Sequence, residues 1–586
     1  MVCLVRPPGA ESFRFSVLSV SLPLGLAYIA GALEASGRRV HVVDAVGEAP
    51  TRRTRYVRGY LIGLSLEDVV ARIPADADFV GITVVFTHEW PAVVRLVDMI
   101  KARRPALRVV LGGEHITSTG EFCLATSKAD VLVVGEGEET VVDLADALET
   151  GRSLREVEGI MFRDGDTIVT NRRRNRTRDA DTIAWPAWHL FKIDTYHEQR
   201  LIGGTYSSAL TIPMLATRGC PYQCTYCSAP NMWTPLWIAR DPAKVVDEIE
   251  YYMKRFGARS FHFQDLTAII QREWIIQFCR EVLRRELPIT WQLPTGTRSE
   301  AIDAEVAELL AKSGMTGMAY APEAASETTR KLIKKKMRTD RLFASIDAAV
   351  AAGLNVSTFM VIGFPHDTEE HLAENLPFID RLVAAGVTDY IVGFYLALPG
   401  TELFQSLYDA GKIRIDRRYF RHLMQNSTLV ASQSFCDHLT RLQLMRWKLR
   451  LQLRFYREKG RVTGGGGLLT SGRRALKGLR SGEHTSKLET AFRHGLTSAW
   501  YHIRTRFGPG WMPREEERRF FEGWDAIYRR IRDAKRAAGV AVPKFADPAD
   551  LHQGNVVTAL RHDHETSRSF PALPPPTPMP SAAAST

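Results

Sequence analysis

Three cysteines packed into one short stretch constrain this chain more than any other feature. Ala216 to Pro230 reads ATRGCPYQCTYCSAP, with Cys220, Cys224 and Cys227 in a C-x-x-x-C-x-x-C spacing. Thiolates are soft ligands and suit iron–sulfur clusters. Three local cysteines leave one iron of a cubane without a protein ligand, and that open position invites a small-molecule chelator. A structural zinc site would need a fourth Cys or His with a matching pair, but Cys3, Cys123, Cys279 and Cys436 are scattered singly. A disulfide framework belongs to a short secreted chain with an even count; this chain has 586 residues and seven cysteines. The run Met1 to Pro8 is too short for a secretory signal and reads as a buried first strand. Cluster thiolates need a reducing compartment, so the cytoplasm is expected.

Upstream, residues 1–150 alternate short apolar β-rich runs with helical patterns. Strands are expected at Val2–Val5, Val40–Val43, Phe79–Thr83, Arg108–Leu111 and Val131–Val134, with helices such as Leu24–Ser36 and Trp90–Lys101 between them. This pattern predicts a doubly wound parallel sheet with helices on both faces, and ligands at the carboxyl ends of its strands. Two glycine-rich loops follow strands there: Gly112-Gly113-Glu114-His115 and Gly135-Glu136-Gly137-Glu138. Their glycines let a bulky ligand approach the backbone, although any open α/β domain carries such turns.

Residues 151–206 read as a β-hairpin around Asp164-Gly165-Asp166, then a basic linker, with Trp185-Pro186-Ala187-Trp188 as a packing point between domains. Over residues 207–425 a second βα alternation places strands at Leu210–Ala216, Arg259–Phe263, Ile289–Leu293, Gly317–Ala321, Ser357–Ile362 and Tyr390–Phe394. Six strands with intervening helices predict a partial (β/α)6 barrel, so the whole is an α/β chain. Polar residues follow its strands: Gln264-Asp265, Thr295 to Arg298, Glu323, Gly363 and Pro399 to Glu402. One acidic residue after a strand is usually a cap; several at successive strand ends, beside a cysteine loop, form a pattern.

The cysteine motif, with Tyr226 just before its last cysteine, resembles the radical S-adenosylmethionine (SAM) superfamily. That resemblance implies a [4Fe-4S] cluster on Cys220, Cys224 and Cys227, with SAM on the open iron. It places Asp265 near the SAM amino group, Glu323 near the ribose, and Gly363 in the cofactor site. Arg298 and Lys336 are candidate partners of the SAM carboxylate, while Lys334 and Lys335 read as a solvated helix face. The ribose motif, usually Glu-Ser-Gly, is here Glu-Ala-Ala. The upstream loops, including Gly81-Ile82-Thr83, are similar in order to the cobalamin-binding domain of many radical SAM enzymes. By resemblance, Thr83, Gly112, Gly113, Glu114, His115, Glu136 and Gly137 line a cobalamin site. The Asp-x-His-x-x-Gly loop that supplies a cobalt ligand elsewhere is absent around His115, which implies cobalamin without a protein histidine on cobalt.

Residues 426–565 are basic and aromatic and read as mainly helical, with Leu442–Arg457 packing its apolar residues on the barrel and Arg514–Arg536 as one amphipathic helix. Gly464–Gly467 reads as a flexible linker. Residues 566–586 are Pro/Ala/Ser-rich and expected to be disordered. A membrane surface is the alternative partner for the basic helix, placing the protein at the inner face of the membrane. The net charge of +11 fits a solvated surface; without a nucleic-acid motif, nucleic acid is not an expected partner.

The resemblance implies a cobalamin-dependent radical SAM enzyme that methylates an unactivated carbon of a small-molecule, lipid or natural-product substrate. SAM is split reductively to a 5′-deoxyadenosyl radical, and a donor such as flavodoxin or ferredoxin supplies the electron. Two alternatives stand: a ring-forming enzyme acting on a tetrapyrrole or isoprenoid lipid, and a non-catalytic cobalamin or iron–sulfur sensor. No side chain identifies a general base.

Overall fold

A computed structural model of the chain describes residues 1–12, 20–57, 59–165, 167–297, 300–425, 428, 430–431, 433–462, 500, 503–505 and 508–537. Arg298, the glycine run at 464–467 and residues 566–586 lie outside the described residues.

The first βα array contains β1 (Val2–Arg6), β2 (Gly9–Glu11), β3 (Val40–Asp44), β4 (Arg53–Tyr56), β5 (Gly59–Ile62), β6 (Phe79–Thr83), β7 (Arg108–Gly112) and β8 (Val131–Val133), followed by the hairpin β9 (Ile160–Asp164) and β10 (Thr167–Thr170). Seven of these form one sheet in the order β10-β9-β8-β7-β6-β1-β3. Strands β3, β1, β6, β7 and β8 are parallel, and the pairs β8–β9 and β9–β10 are antiparallel. All five residues of β1 are buried, as expected of a Val/Leu-rich central strand covered on both faces. Chain order reverses about β1, so the crevice between β1 and β6 opens at the carboxyl edge, where such sheets bind ligands. Helices α1 (Leu24–Ala35), α2 (Trp90–Arg103), α3 (Glu114–Thr126) and α4 (Glu138–Thr150) cover the faces.

The second array holds β11 (Thr211–Met214), β12 (Thr217–Arg218), β13 (Ile238–Ala239), β14 (Ser260–Phe263), β15 (Thr290–Thr297), β16 (Met315–Glu323), β17 (Asn355–Ile362) and β18 (Asp389–Phe394). Six are parallel and lie in sequence order, β11-β14-β15-β16-β17-β18, which is the expected partial barrel. Sequence pattern missed two small sheets: antiparallel β2-β5-β4, and the pair β12–β13 that brackets the cysteine loop. Strands this short carry too few residues for a period of two to register.

The linker sits between the arrays, as Trp185 to Trp188 suggested. The Ala187 N–H donates to Ala27 O at 2.9 Å, and Trp185 lies 5.3 Å from Tyr251 on α5 (Pro242–Phe256). A Cβ on Gly31 would stand 2.2 Å from the Trp185 carbonyl oxygen. Helix α6 (Asn375–Ala384) packs on the outer face of the barrel, and α7 (Arg417–Leu423) follows the last strand. Helix α8 (Arg441–Val462) buries Leu444, Trp447, Leu451 and Phe455, the latter stacked 5.5 Å from Tyr390 of β18. Its apolar stripe is therefore used on the barrel. Lys448 is buried with it, 4.4 Å over the Phe394 ring, and burial lowers its pKa to about 7.

The expected single helix Arg514–Arg536 is instead α9 (Arg514–Phe520) and α10 (Trp524–Ala537). The chain turns at Gly523, φ +82°, a conformation glycine adopts without strain. The turn lets Phe521 reach Phe420 of α7 at 5.6 Å and Trp524 reach Phe122 of α3 at 5.8 Å. The C-terminal helices thus close back onto the first array. Among the described residues no helix is long and apolar enough to cross a membrane.

Gly31→Ala forces a methyl group into the Trp185 backbone. Such overpacking costs about 1–3 kcal/mol, read as a lower denaturant midpoint; an unchanged midpoint would contradict this packing.

Candidate cofactor site

The cysteine loop leaves the barrel at the carboxyl end of β11 and is closed at its base by β12–β13, where Thr217 pairs with Ala239 and Arg218 with Ile238. Gly219 has φ +87°, and a Cβ there would meet the Leu236 carbonyl oxygen at 2.1 Å, so only glycine fits. Two barrel loops anchor the middle: the Thr225 N–H donates to Ile333 O at 3.1 Å, and the Leu403 N–H donates to Thr225 O at 3.0 Å. Asp265, 1% exposed at the end of β14, holds the entry. Its Oδ1 accepts from the Thr217 N–H at 2.5 Å and the Thr217 hydroxyl at 2.6 Å, and its Oδ2 from the Ala216 N–H at 3.3 Å. Burial pushes its pKa up to about 6. Both oxygens of Asp265 thus face the strand that enters the loop.

Tyr226 turns inward, its hydroxyl toward the Glu323 carboxylate, and lies 5.5 Å from the Phe364 ring; burial raises its pKa well above the usual phenol. Glu323 ends β16 at φ +67°, a left-handed conformation uncommon outside glycine. Its carboxylate also accepts from Lys335 Nζ at 3.1 Å. The cation beside Glu323 is therefore Lys335, with its side chain only 13% exposed, where the sequence reading had a solvated lysine. Lys336 is exposed. Gly363, φ +92°, gives its N–H to Asp367 Oδ2 at 2.9 Å, and Phe364 does the same at 3.0 Å. Sequence reasoning passed over Asp367 because it lies five residues beyond the strand end.

None of the seven cysteines is in a disulfide. Among the described residues no three His, Cys, Asp or Glu side chains converge on one ion position. A cubane instead takes each thiolate at a separate iron, so three thiols spread along one loop suit a cluster.

The carboxyl edge of the first sheet faces this loop. Val84 donates its N–H to Gly112 O at 2.7 Å, which joins the turn after Thr83 to the turn after β7. Gly113 has φ +121°, and a Cβ there would stand 2.6 Å from Val84 O. Glu114, the first residue of α3, sits near Ser228, next to Cys227, and just beyond that cysteine Asn231 Nδ2 donates to Ser118 Oγ of α3 at 3.3 Å. Burial pushes its carboxyl up to about 7, and its Oε1 has no hydrogen-bond partner. His115 is 2% exposed, with Nδ1 3.1 Å from the Thr87 hydroxyl and its ring 5.3 Å from Trp90. Burial lowers its pKa to about 3, which keeps the ring neutral, and its Nε2 has no partner.

The turn after β8 reaches further. Arg218, two residues before Cys220, is buried; its guanidinium pairs with Glu138 at 2.7 Å and Glu136 at 3.4 Å and lies 4.7 Å over the Tyr28 ring. Arg176 from the linker pairs with Glu136 at 3.0 Å and donates to the Trp233 carbonyl at 2.6 Å. Gly137 packs on Ile29, where a Cβ would come within 2.8 Å of Cδ1. Glu136 is thus engaged in ion pairs across the seam. Arg218, Arg176 and Ser228 were missed by sequence reasoning, because a lone arginine or serine beside a motif carries no periodic signal.

The fold and this geometry define a class: a two-domain α/β enzyme whose barrel-mouth cysteine loop meets the ligand edge of a doubly wound sheet. Residues 214–379 match the Radical SAM superfamily, and residues 14–145 match the B12 binding domain. Cytidylyl-2-hydroxyethylphosphonate methyltransferase of Streptomyces wedmorensis is 28% identical over 454 residues, 71% of this chain and 84% of its own. Anaerobic magnesium-protoporphyrin IX monomethyl ester cyclase of Cereibacter sphaeroides is 30% identical over 395 residues, 66% of this chain and 60% of its own. Among solved structures, the radical SAM methyltransferase TsrM of Kitasatospora setae superposes with TM-score 0.59 at 16% identity, covering 86% of this chain and 99% of its own. The cobalamin-dependent radical enzyme OxsB superposes with TM-score 0.60 at 14% identity, covering 92% and 81%. At such identities the structures speak for the fold. The chain is a cobalamin-binding radical SAM enzyme, with a [4Fe-4S] cluster, SAM and cobalamin as its cofactors.

Arg218→Gln leaves Glu136 and Glu138 facing each other with one countercharge fewer. Breaking a buried pair on one side costs about 3–5 kcal/mol. We expect a lower unfolding midpoint and less iron retained after reconstitution, by colorimetric iron assay; parental values for both would contradict the clamp.

Proposed function

We propose that this enzyme methylates an unactivated carbon of a small-molecule substrate held between the two arrays. One observation carries the reading: the segment just beyond Cys227 touches α3, the helix after β7, where Asn231 Nδ2 donates to Ser118 Oγ at 3.3 Å. Cys220, Cys224 and Cys227 hold the cluster; Tyr226 and Glu323 form the wall beside SAM, and Lys335 neutralises Glu323. Thr83, Gly112, Gly113 and Glu114 would hold cobalamin, with glycines where a Cβ at Gly113 would meet Val84 O and with Glu114 Oε1 left to accept a hydrogen bond. His115, neutral and pinned by Thr87, serves as a pocket wall.

When bound at these residues, the cluster would supply the electron for SAM cleavage and cobalamin would supply the methyl-carrying chemistry. The chain's own work is positional. Asp265 fixes the strand entering the cysteine loop, Ile333 and Leu403 fix its middle, and Arg218 ties its base to the first array. The seam buries these groups and so excludes water from the space between the cofactors. A flavodoxin or ferredoxin is the donor we expect, in the cytoplasm, since thiolate clusters require reducing surroundings.

The Streptomyces wedmorensis methyltransferase, matched over 84% of its length, supports methylation. The Cereibacter sphaeroides cyclase, at 30% identity, supports a second reading in which a ring is closed. Reconstituted protein under a low-potential reductant should form 5′-deoxyadenosine, and with substrate also S-adenosylhomocysteine. Product without S-adenosylhomocysteine would favour the cyclase reading. Cys224→Ala should abolish 5′-deoxyadenosine; undiminished cleavage in that variant would sink the cluster assignment.

A further inference from the structure

A cavity of about 460 Å³, open to solvent, lies between α7 and α8 and is lined by Arg418, Gln433, Ser434 and Arg441. Among the described residues the lining holds two guanidinium groups and no carboxylate, while the Gln433 amide donates to Lys412 O at 3.2 Å and the Ser434 hydroxyl to Leu439 O at 2.6 Å. Neighbouring cations are neutralised: Arg417 pairs with Glu517 at 2.7 Å, and Lys412 pairs with Asp437. Arg418 and Arg441 make no ion pair among the described residues. The nearby carboxylate of Asp416 caps α7 through the Arg418 and Tyr419 N–H groups.

The cavity sits at the catalytic end of the barrel. The Asp437 N–H donates to Pro365 O at 2.8 Å, in the loop after β17, and the Tyr419 hydroxyl donates to Ala397 O at 2.7 Å, just beyond β18. Behind Ser434, Phe435 lies 4.9 Å from the ring of His422, one turn along α7 from Arg418. Phe435 is 6.1 Å from Tyr395, Tyr395 is 5.3 Å from Phe364, and Phe364 is 5.5 Å from Tyr226 on the cysteine loop. An aromatic wall therefore separates this basic cavity from the cofactor site. In that wall the Tyr395 hydroxyl lacks a hydrogen-bond partner, and His422 faces the Tyr395 backbone without ordinary hydrogen-bond geometry at either ring nitrogen.

We propose that Arg418 and Arg441 form a binding site for the phosphoryl or phosphonyl group of the substrate. Guanidinium groups on two helices line one cavity, an arrangement suited to a tetrahedral dianion. The volume lies in the range of about 300–1,000 Å³ typical of organic ligands and exceeds what one inorganic phosphate fills. The ligand is therefore an organic phosphate or phosphonate. This deepens the enzyme reading and depends on it only for calling the ligand a substrate.

The test is calorimetric titration of inorganic pyrophosphate into the full chain carrying cluster and cobalamin, with acetate as comparator. The parent should bind pyrophosphate and not acetate. Arg418→Gln and Arg441→Gln should each bind about tenfold more weakly, the loss of one charge-assisted hydrogen bond. Iron content and circular dichroism matching the parent certify the fold of each variant, and Arg418→Lys, which keeps charge but not the fork, should fall between. Equal pyrophosphate affinity in all variants would overturn the site, and acetate binding as tightly would overturn its phosphoryl specificity. Failure of the parent to cleave SAM would sink the enzyme reading and leave the titration result standing.

Discussion

The buried ion pair between Arg218 and Glu138 is the contact on which the two-cofactor arrangement depends. Arg218 belongs to the cysteine loop's base, and Glu138 to the first turn of α4, so one pair joins the barrel to the doubly wound sheet. Desolvation makes such a pair a poor source of net stability, but removing one partner is costly. Its value here is registry. With Glu136 and Arg176 it sets where the turn after β8 sits relative to Cys220.

From that seam the remaining architecture follows. The parallel sheet offers its carboxyl edge, the barrel offers its mouth, and segments from each reach the other through Ser118, Asn231 and Arg218. Trp185 to Trp188 fills the space between α1 and α5. The C-terminal helices close the other side: Trp511 meets Tyr56 at 5.0 Å and Trp524 meets Phe122 at 5.8 Å. A chain that holds two reactive cofactors against each other needs this closure to keep solvent from the reacting atoms.

The sheets were legible because their strands are Val/Ile/Leu/Phe runs of ordinary length, separated by amphipathic helices. The cysteine loop was legible because its spacing is compact and local. The rest depended on contacts distant in sequence. Arg218 and Glu138 are eighty residues apart, and nothing in either neighbourhood announces the partner. Lys335 read as solvated because its partner, Glu323, is brought to it by the left-handed turn that ends β16. Asp265 was legible as a strand-end carboxylate, but its hydrogen bonds to Ala216 and Thr217 show in the structure alone. The break at Gly523 was hidden because the apolar period runs through it; aromatic packing on Phe420 and Phe122 decides the bend.

The central claim is that the two cofactor loops face each other across one seam. It is tested most directly by electron paramagnetic resonance on the full chain carrying cob(II)alamin and the reduced cluster together. Facing loops predict that the cob(II)alamin signal relaxes faster when the cluster is reduced than when it is oxidised, through coupling of nearby spins. Identical relaxation in both states would place the two centres apart and contradict this account.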